Sequence, residues 1–104
     1  MLKAYASYFA AYLIDNLNKN VRANIERIIL FGSVAKEEAT KDSDVDIFIE
    51  LKKQNKQIEK SIFNRVDEFY KSKDAMLFKV RGVDNKINIK LGKLKEWEEL
   101  YASV

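Results

Sequence analysis

The chain has no cysteine, no histidine and no proline among its 104 residues. Without cysteine there is no disulfide, no thiolate metal site and no thiol nucleophile. Without histidine, the commonest general base and the commonest zinc ligand are both missing. Any chemistry must rest on carboxylates, hydroxyls, lysines or a metal ion. No apolar run reaches membrane-spanning length and no secretory leader pattern is present, so a cytoplasmic protein without a membrane partner is expected. A formal charge of +3 suits polyanionic ligands without demanding nucleic acid. No basic-aromatic stripe of the sheet-binding kind is visible, so a nucleic-acid partner is not expected. A length of 104 residues, 47% of them hydrophobic, is enough for one domain over residues 1–104 with one core.

Two apolar runs organise what is present. Ile28-Ile29-Leu30-Phe31 ends abruptly in Gly32-Ser33, and Ser43-Asp44-Val45-Asp46 opens a second run, Ile47-Phe48-Ile49. The first reads as a strand over about residues 27–31, central and covered on both faces because it has no clear polar side. The second alternates strictly. Asp44, Asp46, Phe48 and Glu50 share one face, and Val45, Ile47, Ile49 and Leu51 the other. Two carboxylates held side by side repel unless a cation lies between them, and a divalent ion with a taste for oxygen is the natural occupant. Glycine after a strand lets a phosphate approach the backbone, where the N–H groups of a following turn over residues 34–38 and the Ser33 hydroxyl can hold it. Each feature alone is commonplace: most Gly-Ser pairs are only turns, and strand-end acids are often merely solvated.

Elsewhere the spacing predicts an amphipathic helix over residues 1–20, with Leu2, Tyr5, Phe9, Leu13 and Leu17 on its stripe. Tyr8 and Tyr12 widen that stripe beyond one core face; a helix packed on a sheet is the first reading, and tyrosines that meet another chain the second. A polar link follows over residues 18–24. A helix is predicted over residues 57–71, a strand over 75–81, a turn at Val83-Asp84-Asn85 and an alternating strand over 86–91. Leu94, Trp97, Leu100 and Tyr101 outline a short terminal helix. The expected fold is therefore α/β (α+β): a four-stranded mixed sheet with helices mainly on one face and a polar working face opposite.

Gly32-Ser33, nine residues, then Ser43-Asp44-Val45-Asp46 resembles the signature of the DNA polymerase β-like nucleotidyltransferases. The short chain is similar to the minimal nucleotidyltransferase (MNT) group, the small members of HEPN/MNT toxin–antitoxin pairs. The resemblance implies that Gly32 and Ser33 bind the β- and γ-phosphates of a nucleoside triphosphate, ATP being the expected one, with Lys36 and Ser43 also at the nucleotide. It implies that Asp44 and Asp46 hold two magnesium (or manganese) ions. An acceptor hydroxyl would attack the α-phosphate, pyrophosphate would leave, and AMP would be transferred.

Two departures stand out. Active relatives usually carry a third carboxylate on a later strand, and the matching position here is Asn88. An asparagine has an acceptor oxygen but no charge and takes no proton at neutral pH. Many minimal members also carry an arginine directly after Gly-Ser, where this chain has Val34; only Lys36 keeps a positive charge two positions on. Asn88 and the tyrosine-bearing first helix support an alternative: a catalytically weakened nucleotidyltransferase-fold binding protein that acts through its partner interface. Larger relatives grip base and acceptor with a second helical domain. The resemblance therefore implies a HEPN-like partner, or self-association, to complete the acceptor side.

Overall fold

Helix α1 (Leu2–Asn16) forms where apolar residues recur every three or four positions, and it buries Tyr5, Ala6, Phe9 and Leu13. It is shorter than the spacing suggests. The link that follows is itself helical over α2 (Lys19–Ala23), because the Asn18 side chain caps the Val21 N–H at 2.9 Å. The structure, a computed structural model, describes residues 1–93. The terminal helix expected at Leu94, Trp97, Leu100 and Tyr101 lies outside the described residues.

Strand β1 (Ile25–Phe31) runs into the single turn α3 (Gly32–Ala35), and β2 (Val45–Leu51) returns antiparallel to it. Helix α4 (Lys56–Tyr70) is capped by Asn55, whose side-chain oxygen accepts the Ile58 N–H at 2.8 Å. Helix α5 (Lys73–Val80) follows, and β3 (Ile87–Gly92) pairs parallel with β2. The sheet is mixed, as expected, with order β1-β2-β3.

Two sequence expectations fail here. The sheet has three strands among the described residues, not four, because residues 75–81 fall in α5 rather than in a strand. The Ser72 hydroxyl accepts the Ala75 N–H at 3.2 Å and opens the helix; Asp74 in the first turn and Lys79 in the last suit the helix dipole. Gly82, with φ +84°, closes it: the Gly82 N–H reaches Lys79 O and the Val83 N–H reaches Phe78 O, both at 2.9 Å. Second, among the described residues β1 is an edge strand and β2 the central one. Most of β1 is only half-buried, whereas Val45, Ile47, Phe48, Ile49 and Leu51 are all buried.

Register assigns the faces. Ile28 pairs with Ile49 and Leu30 with Ile47, while Ile47 pairs with Ile89 across the other ladder. These residues join one core with Phe9, Leu13, Ile62, Val66 and Phe69 of the helices. Phe69 lies at its centre, its ring 5.2 Å from that of Phe9 and 5.6 Å from that of Tyr5. Tyr12 packs against Phe69 at 5.5 Å, so the fold itself uses it; Tyr8 is half-exposed and meets Phe78 edge-on at 5.3 Å. The opposite face carries three cross-strand rows: Phe31–Asp46–Asn88, Ile29–Phe48–Lys90 and Arg27–Glu50–Gly92.

Candidate functional site

The first of those rows marks the site. Gly32 begins α3 directly after Phe31, the β1 partner of Asp46. Its φ is +74°, and a Cβ built there would collide with Asp46 Oδ2 and lie 3.2 Å from Asp46 Cγ. Only glycine relieves both the left-handed backbone and the collision. The Asp46 carboxylate therefore rests against the start of α3. Its other oxygen, Oδ1, accepts a hydrogen bond from Asn88 Nδ2 at 3.0 Å. The parallel register puts Asn88 directly beside Asp46, so the two ladders bring Gly32, Asp46 and Asn88 together from three parts of the chain.

The other predicted residues lie around this row. Ser33 is the second residue of α3, half-buried, with its carbonyl taken by the Glu38 N–H at 2.9 Å. The N-cap of α3 is Phe31, which supplies no side-chain cap. Lys36 caps the other end and is exposed. Asp44 is exposed and immediately precedes β2, one residue outside the strand expected to include it. The Ser43 hydroxyl is engaged locally, accepting the Thr40 N–H at 2.8 Å. Glu50 pairs with Arg27 at 3.2 Å and does not join the site.

Three tyrosine and asparagine side chains beside the site drew no functional notice in the sequence. Tyr70, the last residue of α4, accepts the Ile87 N–H on its hydroxyl oxygen at 2.8 Å. Burial holds its proton more tightly than usual, the Ile87 N–H works against that, and the charges of Asp67 and Asp44 add to it. Tyr5 donates its hydroxyl to Asn85 O at 3.0 Å, and burial, helped by Tyr70 and Asp84, pushes it up to about 12. Asn85 donates to Lys41 O at 2.8 Å and to Ser43 O at 2.7 Å. The only sequence cue was an asparagine in a turn two residues before a strand; its partners are more than 40 residues away. Beside Asn88 a cavity of about 550 Å³ opens between α4 and β3, lined by Phe63, Asp67, Tyr70, Asp84 and Lys86 among others.

The donor set can be tested against a divalent ion. Among the described residues no group of three Asp, Glu, His or Cys side chains is placed to hold a metal. Near Asp46 the third group is an amide that donates to the carboxylate. Such a set does not cage an ion by itself. It fits magnesium in its common mode, on one or two carboxylates with phosphate oxygens and waters completing the shell.

A mixed sheet with helices on its core face, a glycine-started turn after one strand, and an Asp-x-Asp at the head of the next define an α/β protein with a carboxylate cluster at one end of its sheet. Residues 12–103 match the family described as Nucleotidyltransferase domain. The chain belongs to that family, whose general activity is nucleotidyl transfer. No curated protein and no solved structure matches it. No helix among the described residues is long and apolar enough to cross a membrane.

Proposed function

We propose that this chain binds a nucleoside triphosphate, ATP in our reading, and transfers its nucleoside monophosphate slowly to a hydroxyl acceptor. The observation that carries the reading is the packing of Asp46 against Gly32 on one side and Asn88 on the other. Gly32 gives the Asp46 carboxylate its place at the start of α3; the backbone N–H groups of that turn and the Ser33 hydroxyl donate to phosphate oxygens, and Lys36 adds positive charge. Ser43 serves the nucleotide indirectly, by shaping the loop before Asp44. Asp44 and Asp46 hold magnesium or manganese, and a bound ion of this kind supplies electrostatic stabilisation to phosphoryl oxygens. Asn88 keeps the Asp46 carboxylate oriented but takes no proton from an acceptor hydroxyl, so transfer is slow. The acceptor enters along the cavity between α4 and β3, where Lys86 and Tyr70 line its way to Asn88.

A HEPN-like helical protein, or a second copy of the chain, completes the acceptor side in this reading. A second reading is favoured by the same Asn88 and by the exposed Met76, Leu77 and Val80 of α5. In it, the chain retains the nucleotide site but acts by covering a partner. The test is calorimetric titration of ATP with and without magnesium, with Asp44→Asn as control. Magnesium-dependent binding that disappears in the variant is expected. Absence of such binding in the native protein, alone and with a HEPN-like partner supplied, would sink the nucleotide reading.

A further inference from the structure

The loop over residues 40–43 delivers Asp44, yet it belongs to no strand or helix. We infer that Asn85 is a positioning residue that fixes the Ser43–Asp44 peptide, and through it the pose of the Asp44 carboxylate. This rests on the reading of Asp44 as a metal-holding residue.

The geometry is specific. Both hydrogens of the Asn85 amide are spent on this loop, one on Lys41 O at 2.8 Å and one on Ser43 O at 2.7 Å. Ser43 O belongs to the peptide that leads into Asp44. Because a peptide is planar, holding its oxygen also sets the direction in which Asp44 N and Cα leave. The remaining polar groups of Ser43 are fixed within the loop: its N–H on Thr40 O at 3.2 Å, its hydroxyl on the Thr40 N–H at 2.8 Å. One residue further on, the Val45 N–H is bound to Lys86 O at 2.8 Å. Asp44 thus sits between two anchors, both supplied by consecutive residues at the entry to β3.

Asn85 is itself held. Its carbonyl accepts the hydroxyl of Tyr5, a residue only 1% exposed in the core face of α1. The clamp therefore runs from the hydrophobic core through one asparagine to the loop. Asparagine suits the position because the task needs two donors on one atom, aimed at two carbonyls. Aspartate has nearly the same shape and neither donor, so it would face both carbonyl oxygens with a negative charge.

The experiment compares native protein with Asn85→Asp, and with Asn85→Ala should the charge prevent folding. Amide exchange followed by NMR is expected to accelerate by about tenfold or more at Thr40, Ser43 and Val45 while Phe69 in α4 keeps its protection. The magnesium concentration that half-saturates ATP binding is expected to rise by roughly tenfold, the usual cost of losing a group that orients a metal ligand. Unchanged protection at Phe69 separates this local effect from a general loss of stability, which would speed exchange in α4 as well. Unchanged exchange in the loop overturns the clamp. So does faster exchange with an unchanged magnesium requirement, or an equal acceleration at Phe69. If the native protein shows no magnesium-dependent ATP binding, alone and with a HEPN-like partner supplied, the nucleotide reading fails, and loop exchange alone then decides whether Asn85 clamps the Asp44 peptide.

Discussion

At Asn88 a single amide stands where a carboxylate would double the negative charge beside Asp46. Its Nδ2 gives a hydrogen bond to Asp46 Oδ1 at 3.0 Å, so a donor faces the Asp46 side chain there. Asn88→Asp replaces that donor with a like charge. The variant is expected to lose about 1–3 kcal/mol in the absence of divalent ions, since the bond to a charged group is lost and repulsion takes its place. Added magnesium should recover more stability in the variant than in native protein, because the ion then has two facing carboxylates to join. Thermal unfolding with and without magnesium checks this; a variant as stable as native in chelator would contradict it. Nucleotide transfer, if the third carboxylate is what the site lacks, should rise in the same variant. The adjacency of Asp46 and Asn88 was legible in the sequence only through the family resemblance. Nothing in either residue's neighbourhood reveals that the two strands are parallel and in that register.

The elements show where the reading of pattern works and where it does not. Helix α4 was legible because Ile62, Val66 and Phe69 repeat at helical spacing over two turns. Helix α5 was not. Its short run Ala75-Met76-Leu77-Phe78 has apolar residues on all sides and satisfies strand alternation equally well, so periodicity could not separate the two. The deciding signals were at its ends, Ser72 as cap and Gly82 as stop. Edge against centre was equally hidden for β1, since a continuous apolar run says nothing about how many neighbours a strand has. Helix α1 and the turn before β3 are linked by the Tyr5 hydroxyl, and this link carries a pH dependence. Tyr5 holds its proton up to about 12 in the folded protein, against an ordinary value near 10 once unfolded. Its contribution is therefore fully present below about pH 10 and is lost as pH rises through about 12, because the unfolded chain ionises first. The loss amounts to roughly 2–3 kcal/mol across that window. Tyr5→Phe is expected to be less stable than native by about 1 kcal/mol at neutral pH, from the lost hydrogen bond to Asn85 O, and to show a flatter decline above pH 10. Urea unfolding at a series of alkaline pH values would show it; parallel declines in the two proteins would refute it.

At the scale of the molecule, the helices among the described residues cover one face of the sheet β1-β2-β3 and leave apolar side chains outside on α1 and α5. Met76 and Leu77 are more than half exposed, and Val80 is 86% exposed, with Tyr8 nearby on α1. These residues are not needed to close the core. The double substitution Leu77→Lys/Val80→Lys is expected to leave stability within about 1 kcal/mol, as exposed positions usually do. It should also reduce binding of a hydrophobic fluorescent dye by the folded protein. Equal dye binding by native and variant would show that this patch is not the accessible apolar surface.

The parallel pairing of β2 with β3 has a further consequence, in the order of folding. β1 and β2 are antiparallel and separated by a short stretch of chain, so Gly32 and Asp46 can meet early. β3 reaches Asp46 only after the chain has passed through α4 and α5, about 35 residues of crossover that must close first. The half of the site that belongs to Gly32 and Asp46 is then assembled before the half that belongs to Asn85 and Asn88. During synthesis the same asymmetry holds: β2 leaves the ribosome before the segment that carries Asn85 and Asn88, so the cluster around Asp46 is completed late in the making of each new chain.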